Sequence, residues 1–314
     1  MTKLYLVIPC YNEEEVLSET LARLTVKLDD MVDRNLISAD SRILCVDDGS
    51  RDKTWEIICS HFECNSYVCG LKLSRNRGHQ NALLAGMMHA KEYCDCMISL
   101  DADLQDDINA IDRFVEKFHE DCDVVYGVRN KRDTDSFFKR STARGFYSFM
   151  KLLGVDIVYD HADYRLLSRR ALEALSEYKE VNLFLRGMVP LIGFRSDYVY
   201  YDRSERFAGE SKYPLKKMIN FAMDGITSFS VKPLKIISNL GIIVSVLSVI
   251  GLLYALISYF THNAVAGWTA IVCSIWLLGG VQLLCIGIVG EYIGKIYSEV
   301  KARPKYIIDK FLKK

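Results

Sequence analysis

The segment Ser99-Leu100-Asp101-Ala102-Asp103-Leu104-Gln105-Asp106 carries the densest chemistry in the chain. Two carboxylates two residues apart, at the end of an apolar run, can both reach one divalent cation through hard oxygen ligands. A nucleoside diphosphate would supply further oxygens, and the cation would neutralise charge developing on that leaving group. Asp-x-Asp alone also occurs in solvated acidic turns, so its meaning depends on where the fold places it. A second cluster is divided between two other apolar runs. Val7-Ile8-Pro9-Cys10-Tyr11-Asn12-Glu13 closes the first, and Val46-Asp47-Asp48-Gly49-Ser50 closes the next. Together they offer carboxylates, an aromatic ring and backbone amides. An Asp there can accept from the imide N–H of uracil or from ribose hydroxyls. The simpler alternative is turn chemistry, with Asn12, Asp48 and Ser50 capping helices. The two roles can coexist.

These residues need a frame to bring them together. Short apolar runs at 4–8, 42–46, 68–73, 97–100 and 123–126 read as strands. Between them lie helical patterns: Val16, Leu17, Leu21, Leu24 and Leu28, a stretch carrying Trp55 and Ile58, and the segments 81–90 and 108–118. Repeated strand–helix units imply a mostly parallel sheet covered on both faces, with ligands bound beyond the carboxyl ends of the strands. The polar clusters after Ile8, Val46, Leu73 and Leu100 stand where that rule puts a ligand. From 136 to 201 the pattern is mixed, with helices expected around 137–153 and 168–178. Lys139, Arg140 and Arg144 lie at roughly helical spacing, as a solvated face or as cations for a phosphate. His79 and His161 flank motifs and read as structural hydrogen-bonding residues rather than ligands.

A length of 314 residues suggests about two domains. Forty basic against forty acidic residues give zero net charge, which argues against a nucleic-acid partner. A mean hydropathy of +0.07 hides two populations. Residues 240–260 and 267–290 contain no charged residue, and each is long enough to cross a ~30 Å hydrocarbon core. Lys232 and Lys235 precede the first stretch; Lys295, Lys301, Arg303, Lys305, Lys310, Lys313 and Lys314 follow the second; the connector 261–266 has no Lys or Arg. The positive-inside rule then predicts both flanks cytoplasmic and the connector outside. Pro214 opens a predicted helix whose Leu215, Met218, Ile219, Ala222 and Ile226 share one face, suited to the membrane interface. The run 4–8 is too short for a cleavable signal peptide. None of the ten cysteines forms Cys-x-x-Cys, so free thiols in a reducing compartment are expected. The expected layout is a cytoplasmic domain at 1–213, an interfacial helix region at 214–235, two transmembrane helices within 236–290 and a basic cytoplasmic tail at 291–314. Removing 240–314 is expected to leave the nucleotide and metal sites largely intact.

As an ordered set, Val7–Glu13, Val46–Ser50, Arg75-Asn76-Arg77-Gly78, Asp101–Asp106 and Arg206-Phe207-Ala208-Gly209-Glu210-Ser211-Lys212-Tyr213 resemble the family-2 glycosyltransferases. More narrowly they resemble the polyprenyl-phosphate glycosyltransferases, the group of bactoprenol glucosyltransferases and dolichol-phosphate mannose synthases, over nearly the whole chain. The resemblance implies an α/β GT-A nucleotide-sugar fold with a C-terminal two-helix transmembrane hairpin. It also implies inverting transfer of glucose or N-acetylglucosamine from a UDP-sugar to undecaprenyl phosphate, assisted by Mg²⁺ or Mn²⁺, at the cytoplasmic face of the cell membrane. Pro9, Tyr11, Glu13 and Asp48 match the family's nucleotide-binding positions. Asp101, Asp103 and Gln105 match its metal and diphosphate positions. Arg129, Arg140 and Arg144 stand where the family contacts lipid phosphate. Asp163 matches a catalytic acidic position beside Asp103, and Arg206 and Lys212 match a loop over the donor diphosphate. No Gln-x-x-Arg-Trp occurs, which counts against processive polysaccharide synthases. A glycan or glycolipid acceptor and a non-catalytic membrane scaffold are the alternatives, and the sequence leaves a homo-oligomer open.

Overall fold

The computed structural model describes residues 1–129, 161–181, 183–202, 233–239, 241–243, 246, 250 and 267–314. The chain divides into two units. One comprises Met1–Tyr147, Ile157–Tyr213 and Arg303–Lys314, the other Ser148–Asp156 and Pro214–Ala302.

In the first unit eight strands form one sheet in the order β7-β5-β6-β4-β1-β2-β3-β8. Its centre is parallel: β1 (Leu4–Cys10) lies between β2 (Arg42–Asp47) and β4 (Cys96–Ser99), and β3 (Val68–Leu73) lies outside β2. Every residue of β1 is buried, which explains why this strand reads as an unbroken apolar run rather than an alternation. The crossovers are α1 (Leu17–Asp33), α2 (Thr54–Cys64) and α3 (His79–Ala90), and α4 (Ala110–His119) follows β4. On α1, Leu17, Leu21, Leu24, Leu28 and Met31 recur at helical spacing and are all buried, so one apolar stripe seals one side of the sheet. The helix α3 approaches the sheet closely, since a Cβ on Gly86 would stand 2.4 Å from Val7 Cγ1.

Parallel pairing has a direct consequence for function. The carboxyl ends of β1, β2, β3 and β4 must emerge along one edge, and successive strands depart to opposite sides of β1, which opens a crevice there. Beyond β4 the sheet changes direction. β6 (His161–Ser168) is antiparallel to β4, with Ser99 opposite Arg165, so the beginning of β6 arrives where β4 ends. β5 (Val124–Arg129) pairs with β6 and with β7 (Ser196–Tyr201). Two further helices, α5 (Arg169–Ser176) and α6 (Leu185–Leu191), complete this half. Ser168 caps α5, accepting from Ala171 N at 3.0 Å. The helix expected at 137–153 lies outside the described residues.

The C-terminus corrects the expectation of a plain basic tail. β8 (Ile308–Leu312) pairs antiparallel with β3, placing Leu71 opposite Phe311 and Leu73 opposite Ile308. Ser74 N donates to Ile307 O at 2.9 Å, the Phe311 ring packs edge-on against His89 at 4.4 Å, and Lys313 lies over Tyr93. A truncation at 240 would therefore remove a strand of the sheet along with the apolar helical region.

The second unit contains α7 (Trp268–Lys301), 34 residues long and thus about 51 Å at 1.5 Å per residue. The charge-free stretch at 267–290 and the stripe Ile293, Ile296, Tyr297 and Val300 belong to this one helix. Within it Leu278–Lys301 is, among the described residues, the one helix long and apolar enough to cross a membrane. Pro233–Ile243 is a shorter apolar helix. Most of the first expected span, 240–260, and all of the expected interfacial helix lie outside the described residues. The described cysteines, Cys10, Cys45, Cys59, Cys64, Cys69, Cys94, Cys96, Cys122 and Cys285, are free thiols.

Cutting the chain after Ala302 should expose the β3 edge, and an unpaired edge rich in apolar residues invites association. The lost ladder, at about 1 kcal/mol net per hydrogen bond, should cost roughly 4 kcal/mol and lower the melting midpoint by about 8–16 °C. Differential scanning fluorimetry with light scattering on the detergent-solubilised protein checks this, and an unchanged midpoint would show that β8 adds nothing to the sheet.

Candidate active site

The loops that follow β1 and β2 are stitched to one another. Asn12, with φ of 55°, donates its backbone N–H to Ser50 Oγ at 3.0 Å, and Asn12 Oδ1 accepts from Arg51 N at 2.9 Å. Glu13 N donates to Thr54 Oγ1 at 2.9 Å. Asp48 turns the other way. It is almost fully buried, and its two oxygens accept from Arg77 N at 2.7 Å and Gly78 N at 2.9 Å. Gly49 lies beside this contact at φ +67°, where an added Cβ would meet Asn76 N at 2.6 Å, so the close approach requires glycine. Asn12, Asp48 and Ser50 therefore join loops rather than cap helices, and the helices that follow have Val16 and Lys53 at their N-cap positions, without a side-chain cap. Burial raises the pKa of Asp48, against the two backbone N–H groups that favour its anion. Pro9 lies in β1 past Val7, the last residue paired with β4, and Tyr11 stands exposed at the strand end.

Across the crevice the acidic loop is held by its backbone. Thr20 Oγ1 donates to Ala102 O at 2.7 Å, Tyr164 Oη donates to Asp107 O at 3.0 Å, and Leu104 adopts φ of 55°. Gln105 N donates to Asp103 Oδ1 at 3.2 Å. The Asp101 side chain keeps 42% of its surface accessible. Even so, burial first, then the neighbouring charges of Asp106, Asp163 and Asp103, push its carboxyl up to about 6, despite the opposing influence of His79. Crowded carboxylates of this kind fit a divalent cation, which would relieve their repulsion. Among the described residues no three His, Cys, Asp or Glu side chains are grouped to hold a metal by themselves. Asp101, Asp103 and Gln105 thus offer hard oxygen atoms that fit a divalent cation only with further ligands from elsewhere.

Asp163 reaches the same place from β6. Ser99 Oγ donates to the Asp163 carbonyl, tying the end of β4 to the start of β6. The Asp163 carboxylate accepts from Arg165 Nη2, from Arg186 Nε at 3.2 Å and from Arg186 Nη2 at 3.0 Å. Burial would raise its pKa, but the guanidinium groups of Arg186 and Arg165 prevail and hold it well below the usual carboxylate range. His79 is not a core histidine. Its Nε2 stands 3.8 Å from both Asp101 Oδ1 and Asp163 Oδ2, with 44% of the side chain exposed. Arg129 lies 3.6 Å from Asp106 Oδ1 and donates to Tyr201 Oη at 3.4 Å, while Tyr201 donates to Asp106 at 2.6 Å. Arg165, Arg186 and Tyr201 are additions the sequence reading lacked. Arg165 had a signal, since it shares one face of a strand with Asp163 at a spacing of two; Arg186 had none, because only the fold brings it near. Arg140, Arg144, Arg206 and Lys212 lie outside the described residues.

With this geometry in place, similarity to known proteins can be set beside it. The sequence pattern of glycosyl transferase family 2 matches residues 5–176, and the GtrB C-terminal hairpin pattern matches 232–296. An uncharacterized glycosyltransferase of Bacillus subtilis, YkoT, is 56% identical over 306 residues, covering 98% of this chain and 91% of its own. A prophage bactoprenol glucosyl transferase homolog of Escherichia coli is 39% identical over 313 residues, covering 99% of this chain and all of its own. Among solved structures, mannosyl-3-phosphoglycerate synthase of Rubrobacter xylanophilus matches with a TM-score of 0.47 at 15% identity, over 71% of each chain.

Asp48→Ala should leave the N–H groups of Arg77 and Gly78 without their acceptor. At ~1–3 kcal/mol for each stranded buried donor, with partial relief from water, the expected loss is about 2–3 kcal/mol. Chemical unfolding of the full chain checks this, and a loss below about 0.5 kcal/mol would mean that the 75–78 loop is held by other contacts.

Proposed function

The chain belongs to glycosyl transferase family 2, and from that premise we propose that it transfers a sugar from a UDP-sugar to undecaprenyl phosphate, with inversion at the anomeric carbon. The observation that carries this reading is the convergence of three loops on one sheet edge. They are the Asp48 loop for a nucleoside, the Asp101–Gln105 loop for a diphosphate, and Asp163 beside them. The chain's similarity to a bactoprenol glucosyl transferase homolog along its full length, together with the hairpin pattern, supports a polyprenyl phosphate as acceptor.

In this reading Pro9, Tyr11, Glu13 and Asp48 line the nucleoside site. Asp101, Asp103 and Gln105 hold Mg²⁺ or Mn²⁺ with the donor diphosphate. Such a cation supplies charge neutralisation of the departing UDP. Arg129, Arg140 and Arg144 receive the lipid phosphate, and Arg206 and Lys212 close over the diphosphate. A phosphate oxygen attacks the anomeric carbon in line as the bond to the UDP oxygen breaks, so one displacement inverts the centre. With a second pKa of about 6, by analogy with phosphorylated side chains, the lipid phosphate is largely dianionic at neutral pH and needs no strong base. Catalysis therefore rests on positioning and on preorganised charge. The second unit would keep the domain at the membrane surface where the acceptor phosphate resides, as a two-span hairpin with both flanks cytoplasmic.

Incubation of the purified protein with undecaprenyl phosphate and each of several UDP-sugars, followed by mass spectrometry of the lipid, tests the reading. Formation of a lipid-phosphate sugar is expected, with loss of turnover in EDTA. Transfer only to an acceptor that already carries sugar would overturn it, and so would UDP binding without release from any donor. Asp103→Asn removes a charged ligand facing the diphosphate and should lower turnover ~10²–10³-fold with the fold retained. Activity within threefold of wild type would refute the assigned role.

A further inference from the structure

Asp163 is committed to two guanidinium groups at once. Its Oδ1 accepts from Arg165 Nη2 and from Arg186 Nε, and its Oδ2 accepts from Arg186 Nη2. Arg186 thus grips both oxygens with its fork, a geometry that fixes the plane of the carboxylate as well as its place. Arg165 is fully buried. Its Nη1 reaches Leu185 O at 3.4 Å, and its Nε lacks a partner among the described residues. Burying a guanidinium on these terms is costly, and a second guanidinium, the partly exposed Arg186, is held against the same carboxylate.

The placement of Asp163 narrows what this arrangement can serve. Oδ2 is the oxygen nearest His79, and that imidazole is equally near Asp101. Asp163 is therefore one side chain away from the loop assigned to the donor diphosphate. The group covalently bonded to the distal phosphate is the sugar, and its hydroxyls are neutral hydrogen-bond donors. A carboxylate repels an incoming lipid phosphate but accepts from a hydroxyl. Two guanidinium groups also strip it of the basicity that proton abstraction would require.

We propose that Arg186, supported by Arg165, is a positioning residue that holds Asp163 as a fixed anionic acceptor for a hydroxyl of the transferred sugar. The proposal rests on the reading of the site as a UDP-sugar transferase and adds a determinant of sugar recognition to it. Asp163 then orients the anomeric carbon for attack and takes no proton. His79 stands between the sugar and diphosphate ends.

The test combines Arg186→Ala, Arg186→Lys and Asp163→Asn, singly and as the Arg186→Ala/Asp163→Asn double variant, in the detergent-solubilised full chain. UDP affinity is read by calorimetry, and kcat and KM by transfer from the preferred UDP-sugar. Arg186→Ala should lower kcat/KM for the donor by roughly 30- to 100-fold, as expected for a displaced reacting centre, with UDP affinity within twofold of wild type. Arg186→Lys, which keeps the charge but not the fork, should recover only part of the loss. The double variant should be no slower than Asp163→Asn alone, because Arg186 acts through Asp163. A UDP-deoxysugar lacking the recognised hydroxyl should be equally slow with wild type and with Arg186→Ala. Fully additive losses in the double variant would overturn the proposal. UDP affinity falling in step with activity in both Arg186 variants would do so too, as would an effect confined to the KM of the lipid phosphate. A wild-type chain that binds UDP yet transfers sugar from no donor would instead overturn the underlying reading, and the proposal with it.

Discussion

Four carboxylates, those of Asp101, Asp103, Asp106 and Asp163, are delivered to one crevice by the end of β4 and the beginning of β6. Like charges in a partly desolvated cleft repel strongly, and much of the surrounding structure consists of what balances them. Asp106 is nearly buried and is held by Tyr201 and Arg129. Asp163 is held by Arg165 and Arg186. Asp101 has the half-exposed His79 at 3.8 Å, yet burial and the neighbouring carboxylates push its carboxyl up to about 6. The charge compensation is thus uneven. On the proposed function, the carboxylates with fixed cationic partners would have structural or orienting parts to play, while Asp101, whose carboxyl is pushed up, would gain most from an exchangeable cation arriving with substrate.

This distribution follows from the topology. Parallel pairing of β4, β1, β2 and β3 lines up the ends of those strands, but only the reversal at β6 brings a fifth chain segment in from the opposite direction. Asp163 and Arg165 then share one face of β6, because alternate residues of a strand point the same way. Ser99 fastens β6 to β4 through the Asp163 carbonyl. The side proposed for the nucleoside is built differently, from backbone amides and tight turns, with Gly49 allowing the Asp48 loop to lie against Asn76.

Legibility in the sequence tracks the range of the interaction. Strands β1 to β4 and their helices were readable because each buried element carries its own periodicity, as Leu17, Leu21, Leu24 and Leu28 do on α1. The Asp101–Asp106 loop was readable because its chemistry is contiguous. Arg186 was not, since it is 23 positions from Asp163 and lies on a helix of seven residues, too short to show a period. β8 was hidden for a related reason. Ile308–Leu312 carries two charges in five residues and looks like tail, and its partner β3 lies more than two hundred positions earlier. The position of His79 between Asp101 and Asp163 is hidden for the same reason, because it depends on both ends of a β4–β6 pairing that the local sequence does not announce.

The network around Arg129 bears on how donor and acceptor could be coupled. Arg129 ends β5, and its guanidinium shares Asp106 Oδ1 with the Tyr201 hydroxyl. Asp106 closes the acidic loop assigned to the donor diphosphate. On the proposed function, a lipid phosphate drawn to Arg129 would compete with Asp106 for that cation, and Asp106 would keep the hydrogen bond from Tyr201. Arrival of the acceptor would then alter the electrostatics of the donor loop through one carboxylate, Asp106. The buried Tyr201, whose phenol pKa is raised by burial and by Asp106, stays a neutral donor throughout and so keeps Asp106 satisfied when Arg129 turns to the phosphate.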